Sequence, residues 1–228
     1  MKVRYDATPI IIAERQTGKS LPYSSSKRVI LAPLPDFRYL RMKKSMTSKD
    51  YLERVTIGNL AELSGKIILD EYDPQWKLMF QLEKERIGKA LYGKEIVVEH
   101  VGSTSVPGLC AKPIIDILLL VPDSADEACY VKPLQDAGYV LRIREPEWFE
   151  HRMFKGKSPE VNLHVFSIGC EEADRMIDFR NWLIEHEDDR QLYANTKKHL
   201  AAKDWKYVQE YADAKSEVVQ EIFRHIYK

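Results

Sequence analysis

The chain has 228 residues in which 35 lysines and arginines balance 35 aspartates and glutamates, with 44% hydrophobic and 10% aromatic residues. This composition excludes a collagen-like, disulfide-scaffold or wholly disordered protein. No apolar run approaches the ~20 residues that a membrane-spanning helix needs, and the longest, residues 114–121, carries Asp116 inside it.

The zero net charge is a sum of unlike parts. Residues 1–47 hold ten basic and three acidic side chains, +7, which leaves −7 for residues 48–228. The same segment contains Pro9, Pro22, Pro33, Pro35 and a run of three serines at 24–26, with no sustained apolar period. That predicts a poorly ordered basic extension ahead of a single domain over 48–228. Three origins fit it: a start assigned too early, with initiation at Met42 or Met46; a basic, acid-poor transit segment; or a solvated arm with loose affinity for nucleic acid or an anionic membrane. Residues 10–13 are too short for the apolar core of a secretory signal.

Organised pattern begins near residue 66. Residues 67–69 predict a short strand. Asp73-Pro74 reads as a helix start, Trp76, Phe80, Ile87 and Leu91 share the apolar face that follows, and Gly93 ends it. Residues 96–101 predict a strand, 102–112 a turn-rich loop, and 114–121 a central strand buried on both faces. A helix is expected over 124–137, closed by Gly138, then strands at 139–143, 148–154 and 161–167. Helices are expected at about 172–186, 188–202 and 204–227. In the last, Trp205, Val208, Ala212, Val219, Phe223 and Ile226 form the apolar stripe. The fold class is α+β, a mixed β-sheet with packed helices and a helical C-terminal portion. Cys110, Cys129 and Cys170 form no CxxC pair, and free thiols point to a reducing compartment, hence a cytoplasmic protein.

Residues 99–118 carry the chemistry. Gly102-Ser103 follows a strand directly, where a glycine lets a ligand approach the backbone, and Ser103, Thr104 and Ser105 offer three hydroxyl donors to phosphate oxygens. Lys112 adds positive charge. Asp116 interrupts an apolar strand and needs a metal, a cation or donors, because burying a lone carboxylate costs several kcal/mol. Alternation puts Asn162 and His164 on one face of their strand, and convergence of that face with those of His100 and Asp116 is expected to give a polar cluster.

The strings HVGSTSVPGL at 100–109 and KPIIDIL at 112–118, with RVTIG at 54–58, EYDPQW at 71–76, VNLHVF at 161–166, FRNWL at 179–183 and YADAKS at 211–216, resemble the GrpB-like family over residues 53–228. That family is grouped with the nucleotidyltransferase (polymerase-beta-like) superfamily. The resemblance implies a nucleotidyltransferase-like sheet with a Gly-Ser turn, two acids at i and i+2 on the next strand, and a third acid on a later strand, together binding Mg²⁺. Gly102 and Ser103 match the turn and Asp116 matches the first acid. Leu118 stands at the second acid position, and Asn162 or His164 where the third belongs.

The expected site therefore comprises Asp116, His100 and His164 as catalytic candidates, with Asp116 also the metal ligand. Gly102, Ser103, Thr104, Ser105, Lys112, Arg152, Asn162, Arg180, Lys197, Tyr211 and Lys215 are the candidate ligand-binding residues. The expected function is binding of a nucleotide or related phosphorylated small molecule, with Mg²⁺-dependent nucleotidyl transfer as the reaction. The alternative is a non-catalytic helper domain, since related domains occur fused to dephospho-CoA kinase. A His-based metal hydrolase using His100, His151 and His164 lacks a standard ligand spacing. The acidic body argues against broad nucleic-acid binding, and no membrane partner is expected.

Overall fold

The computed structural model describes residues 49–59, 66–205 and 208–228. The readings of the basic extension fall on residues 1–48, outside the described residues.

Among the described residues, fourteen elements make a mixed α+β fold. In order they are α1 (Lys49–Val55), α2 (Gln75–Ala90), β1 (Val97–Val101), a 3₁₀ turn (Ser103–Ser105), β2 (Ile115–Val121), a second 3₁₀ turn (Glu127–Cys129), α3 (Val131–Asp136), β3 (Val140–Glu145), β4 (His151–Lys157), β5 (Glu160–Ser167), α4 (Glu171–Glu185), α5 (Glu187–Ala201), α6 (Val208–Ala214) and α7 (Ser216–Ile226). The five strands form one sheet in the order β1-β2-β5-β4-β3. Only the central pair, β2 and β5, is parallel; the flanking pairs are antiparallel.

Four predicted elements differ from the outcome; one is the strand expected at 148–154, which begins only at His151 because residues 146–150 turn, with Phe149 and Glu150 at positive φ. Residues 67–69 form no strand; the segment is tied instead by one antiparallel bridge between Asp70 and Ala111. The helix expected over 124–137 shrinks to α3. Asp123 accepts the Ala125 amide at 2.8 Å, which holds a turn, and Pro133 has no amide to continue a helix from upstream. The last expected helix divides into α6 and α7 around Lys215. At α2, Asp73 accepts the Gln75 amide at 2.8 Å, and Trp76, Phe80 and Ile87 are buried as the spacing requires.

The register sorts the sheet into two faces. Val98, Ile117, Leu119, Leu163, Val165 and Phe154 pack on one face against α2 and α3. Val101, Leu118, Leu120 and Phe166 occupy the other, under Ala173, Met176 and Ile177 of α4. A separate core joins Val106, Leu109 and Cys110 of the loop after β1 to Leu183, Tyr193, Ala194, Val218 and Ile222 of α4, α5 and α7. The helical portion thus hangs from the sheet through α4 and this loop, and a cleft lies between them. All three cysteines are free. No helix among the described residues is long and apolar enough to cross a membrane.

Candidate functional site

The cleft floor is one row of residues across four strands. Register pairs Val101 with Asp116, Asp116 with Asn162, and Asn162 with Lys155. Asn162 Nδ2 donates to Asp116 Oδ1 at 2.6 Å, and Lys155 Nζ donates to Asn162 Oδ1. Gly102 closes the floor from above. It sits at φ +70°, and a Cβ there would lie 2.8 Å from the Asp116 Cβ, so only glycine lets the loop lie on the carboxylate.

The cleft roof comes from the helices. A cavity of about 70 Å³ is lined by Ser103, Lys112, Asp116, Lys197, Tyr211 and Lys215, among others. Lys112 and Lys215 lie 5.8 and 4.8 Å from the centre of the Tyr211 ring. Lys197, 2% exposed, donates to the Cys110 carbonyl. Burial, with Lys215 as a neighbouring charge, brings the Lys197 ammonium down to about 7. Burial also lowers Lys112 and Lys215, while Asp116 pulls both back up. Asp116 itself is pushed up by burial and drawn down by the Asn162 hydrogen bond and by Lys215, Lys112 and Lys155.

Four lysines thus surround one carboxylate, and none pairs directly with a carboxylate among the described residues. The Tyr211 hydroxyl, in a side chain 1% exposed, has no hydrogen-bond partner there either. Enclosed cations and an enclosed donor without acceptors are costly, and an anion bearing several oxygens satisfies both.

A second cavity of about 260 Å³ opens from the same floor. It shares Ser103, Asp116 and Lys215 with the first, and its walls include Met176, Phe179, Tyr193 and Phe223. Arg180 lies on its rim, donating to Glu99 Oε2 and to the His100 carbonyl, each at 2.8 Å.

Of the expected site residues, Gly102, Ser103, Lys112, Asp116, Asn162, Lys197, Tyr211 and Lys215 meet in the cleft. Thr104 reaches it, but its hydroxyl is occupied, donating to the Ile114 carbonyl at 3.2 Å. The Ser105 hydroxyl turns back onto the Gly102 carbonyl and holds the 3₁₀ turn. His100 does not join the cluster. It pairs with Ile117 and so lies on the opposite face, stacked 4.7 Å from Phe80 and bonded to Thr104 Oγ1 at 3.0 Å. Burial and the charge of Arg180 bring its imidazole down to about 4, so it is a neutral, packed residue. Arg152 is also absent from the cleft: it pairs with Val165 on the far face and binds Glu127 and Glu150 at 2.6 and 3.2 Å.

His164 shares the Asp116 face but belongs to a different network. Its Nδ1 lies 3.1 Å from His151 Nε2, His151 Nδ1 lies 2.6 Å from Glu145 Oε2, and Tyr51 donates to Glu145 Oε1 at 2.8 Å. Burial, His151 and Lys155 bring His164 down to about 3. Lys155 and the aromatic wall at Phe179, Tyr193 and Phe223 stand outside the set expected from the sequence. Lys155 carries no local signal, because only the β4–β5 register places it beside Asn162.

Comparison with known proteins gives consistent matches. The family model described as GrpB protein matches residues 66–225. A UPF0157 protein of Halalkalibacterium halodurans is 58% identical over 173 residues, covering 76% of this chain and 89% of the relative. The crystal structure of conserved protein GrpB from Enterococcus faecalis matches with a TM-score of 0.63 at 29% identity, covering 70% of this chain and 97% of that one. A dephospho-CoA kinase of Mycolicibacterium paratuberculosis is 28% identical over 152 residues, covering 55% of this chain and 37% of the kinase.

Proposed function

The chain belongs to the GrpB family, and from that premise we propose that its cleft binds a phosphorylated small molecule. The carrying observation is the charge imbalance: Lys112, Lys155, Lys197 and Lys215 surround Asp116, the one carboxylate among the described residues that line the cavity. Phosphate oxygens accept from several lysines and from the Tyr211 and Ser103 hydroxyls together, whereas a neutral ligand leaves the ammonium groups uncompensated. The Gly102-Ser103 turn after β1, followed by Asp116 on β2, also supports the nucleotidyltransferase-like reading, with a nucleotide as the ligand and nucleotidyl transfer as the reaction.

The residues present do not fit the Mg²⁺ set that this reading brings with it. Mg²⁺ takes oxygen ligands, and paired sites share several carboxylates. Here Leu118 is fully buried in an apolar cluster where the second acid belongs, and Asn162 occupies the third position with its oxygen taken by Lys155. Among the described residues no three His, Cys, Asp or Glu side chains converge on a metal site. The anion is therefore held by lysines.

That misfit favours a second reading, a non-catalytic helper domain that keeps the pocket without the reaction. The match to part of a dephospho-CoA kinase supports it, since the similar segment there occupies 37% of a larger protein.

Calorimetric titration with inorganic pyrophosphate, with and without Mg²⁺, tests the proposal. Binding without Mg²⁺ is expected, with weakening of tenfold or more in Lys215→Ala, about 1.4 kcal/mol. Asp116→Asn removes the repulsive charge that lines the cavity and tightens Mg²⁺-free binding; a strict Mg²⁺ requirement abolished by Asp116→Asn returns the site to metal chemistry. No binding to the wild-type chain ends the proposal.

A further inference from the structure

We infer that the 260 Å³ cavity between α4 and α7 is a subsite for a planar aromatic group carried by the phosphorylated ligand, an assignment that rests on the phosphate reading of the lysine cavity. The two cavities adjoin at Ser103, Asp116 and Lys215, so a molecule that fills both spans these three side chains. Their chemistries differ sharply. The first concentrates ammonium groups and hydroxyls in about 70 Å³. The second is more than three times larger and is walled by Met176, Phe179, Leu183, Tyr193, Val219 and Phe223.

The charges at the second cavity are already matched. Arg180 is held by Glu99 and the His100 carbonyl at 2.8 Å, and Glu172 lies 3.3 Å from Arg175, whose guanidinium in turn covers the Phe223 ring at 4.1 Å. Apart from Lys215, which belongs equally to the first cavity, this space offers no uncommitted cation to a second anionic group among the described residues. What it offers is ring surface. Phe179 stands 5.4 Å from Tyr193 and 5.3 Å from Phe223, at interplanar angles of 88° and 42°. Such a tilted aromatic corner takes a flat ring by stacking on one wall and edge contact with another, and the thioether of Met176 adds a polarisable neighbour. A concave space of this size with mostly apolar walls, adjoining a polar one, has the form of a ligand site.

The test compares phenyl phosphate with methyl phosphate on the full chain by calorimetry. Both carry the same phosphate ester, and only one carries a ring. Phenyl phosphate is expected to bind about tenfold tighter or more, from burial of a phenyl-sized apolar surface. Phe179→Ala is expected to remove that preference and leave methyl phosphate affinity unchanged. A second measurement does not depend on the variant folding: the Met176 methyl resonance of the wild-type chain should move on adding phenyl phosphate and stay in place on adding methyl phosphate. Equal affinity for the two esters, with an unmoved Met176 signal, overturns the subsite and leaves the phosphate reading standing. Failure of both esters and of pyrophosphate to bind overturns both.

Discussion

Gly102 and Asp116 act as one unit. The glycine's positive φ and its close approach to the carboxylate are separate demands, and alanine fails both. Gly102→Ala is expected to cost about 1–3 kcal/mol of stability in urea unfolding, and to weaken pyrophosphate binding because the turn that carries the Ser103 hydroxyl must shift. Lys197 supplies a pH test. Its ammonium is brought down to about 7 by burial. Between there and the ordinary lysine value the unfolded chain holds a proton that the folded chain lacks, so stability rises with pH across that window, by up to about 1.4 kcal/mol per unit. Lys197→Met should flatten the rise by roughly one proton, read from urea midpoints at about pH 7.5 and about pH 9. An anion in the cleft favours the charged amine, so pyrophosphate binding in that window should take up protons, measurable as a buffer-dependent binding enthalpy. At His164 the prediction is a tautomer. Glu145 accepts from Tyr51 and from His151 Nδ1–H, which leaves His151 Nε2 to accept from His164 Nδ1–H. Nitrogen NMR should find His164 protonated at Nδ1 and bare at Nε2. The individual residue types were legible in the sequence; their partners were not. Nothing near Lys155 or Glu145 announces a hydrogen bond to a residue on a neighbouring strand.

At the scale of elements, strong apolar runs were read well and phase relations between them were not. The run at 114–121 does form the buried strand β2, and the stripe through Trp76, Phe80 and Ile87 does form the buried face of α2. Alternation within a strand fixes which residues share a face, but not which face of one strand meets which face of the next. The antiparallel β1–β2 register puts Val101 opposite Asp116, and that single choice sends His100 to the far side and brings Glu99 to the near side. The division between α6 and α7 lacks a Gly or Pro to mark it; it falls at Lys215, whose ammonium meets the Tyr211 ring. The same elements limit repair of the acid set. Leu118 is 0% exposed within an apolar cluster, so Leu118→Asp should destabilise the fold by several kcal/mol before it binds any metal, as the thermal midpoint will show.

At the scale of the whole molecule, two cores meet at one charged seam. The sheet contributes Asp116, Asn162 and Lys155, and the helices contribute Lys197, Tyr211 and Lys215, so a bound anion ties the layers together. Pyrophosphate at 100-fold over its Kd should add about 2.7 kcal/mol to global stability. Amide exchange should slow most in α5 and α7, which rest on the smaller core, and in α6, whose Tyr211 packs against Ile67 and Leu200. A ligand held by the helices alone would protect them without slowing exchange in β2 and β5. The neutrality of the full sequence hides this arrangement, because it averages a basic segment, an acidic body and a basic pocket inside that body.

The order of the strands also has a kinetic consequence. β2 and β5 are neighbours in the sheet, yet Asp116 and the Asn162 that holds it are 46 positions apart, with α3, β3 and β4 between them. Closing so long a loop costs entropy before any contact repays it, and parallel pairing cannot begin from a tight turn. The β3–β4 and β4–β5 pairs are local and can form early, whereas the cleft floor assembles only when β5 docks against β2. Acquisition of anion binding during refolding should therefore lag behind the appearance of secondary structure, and the pocket becomes a reporter of long-range assembly.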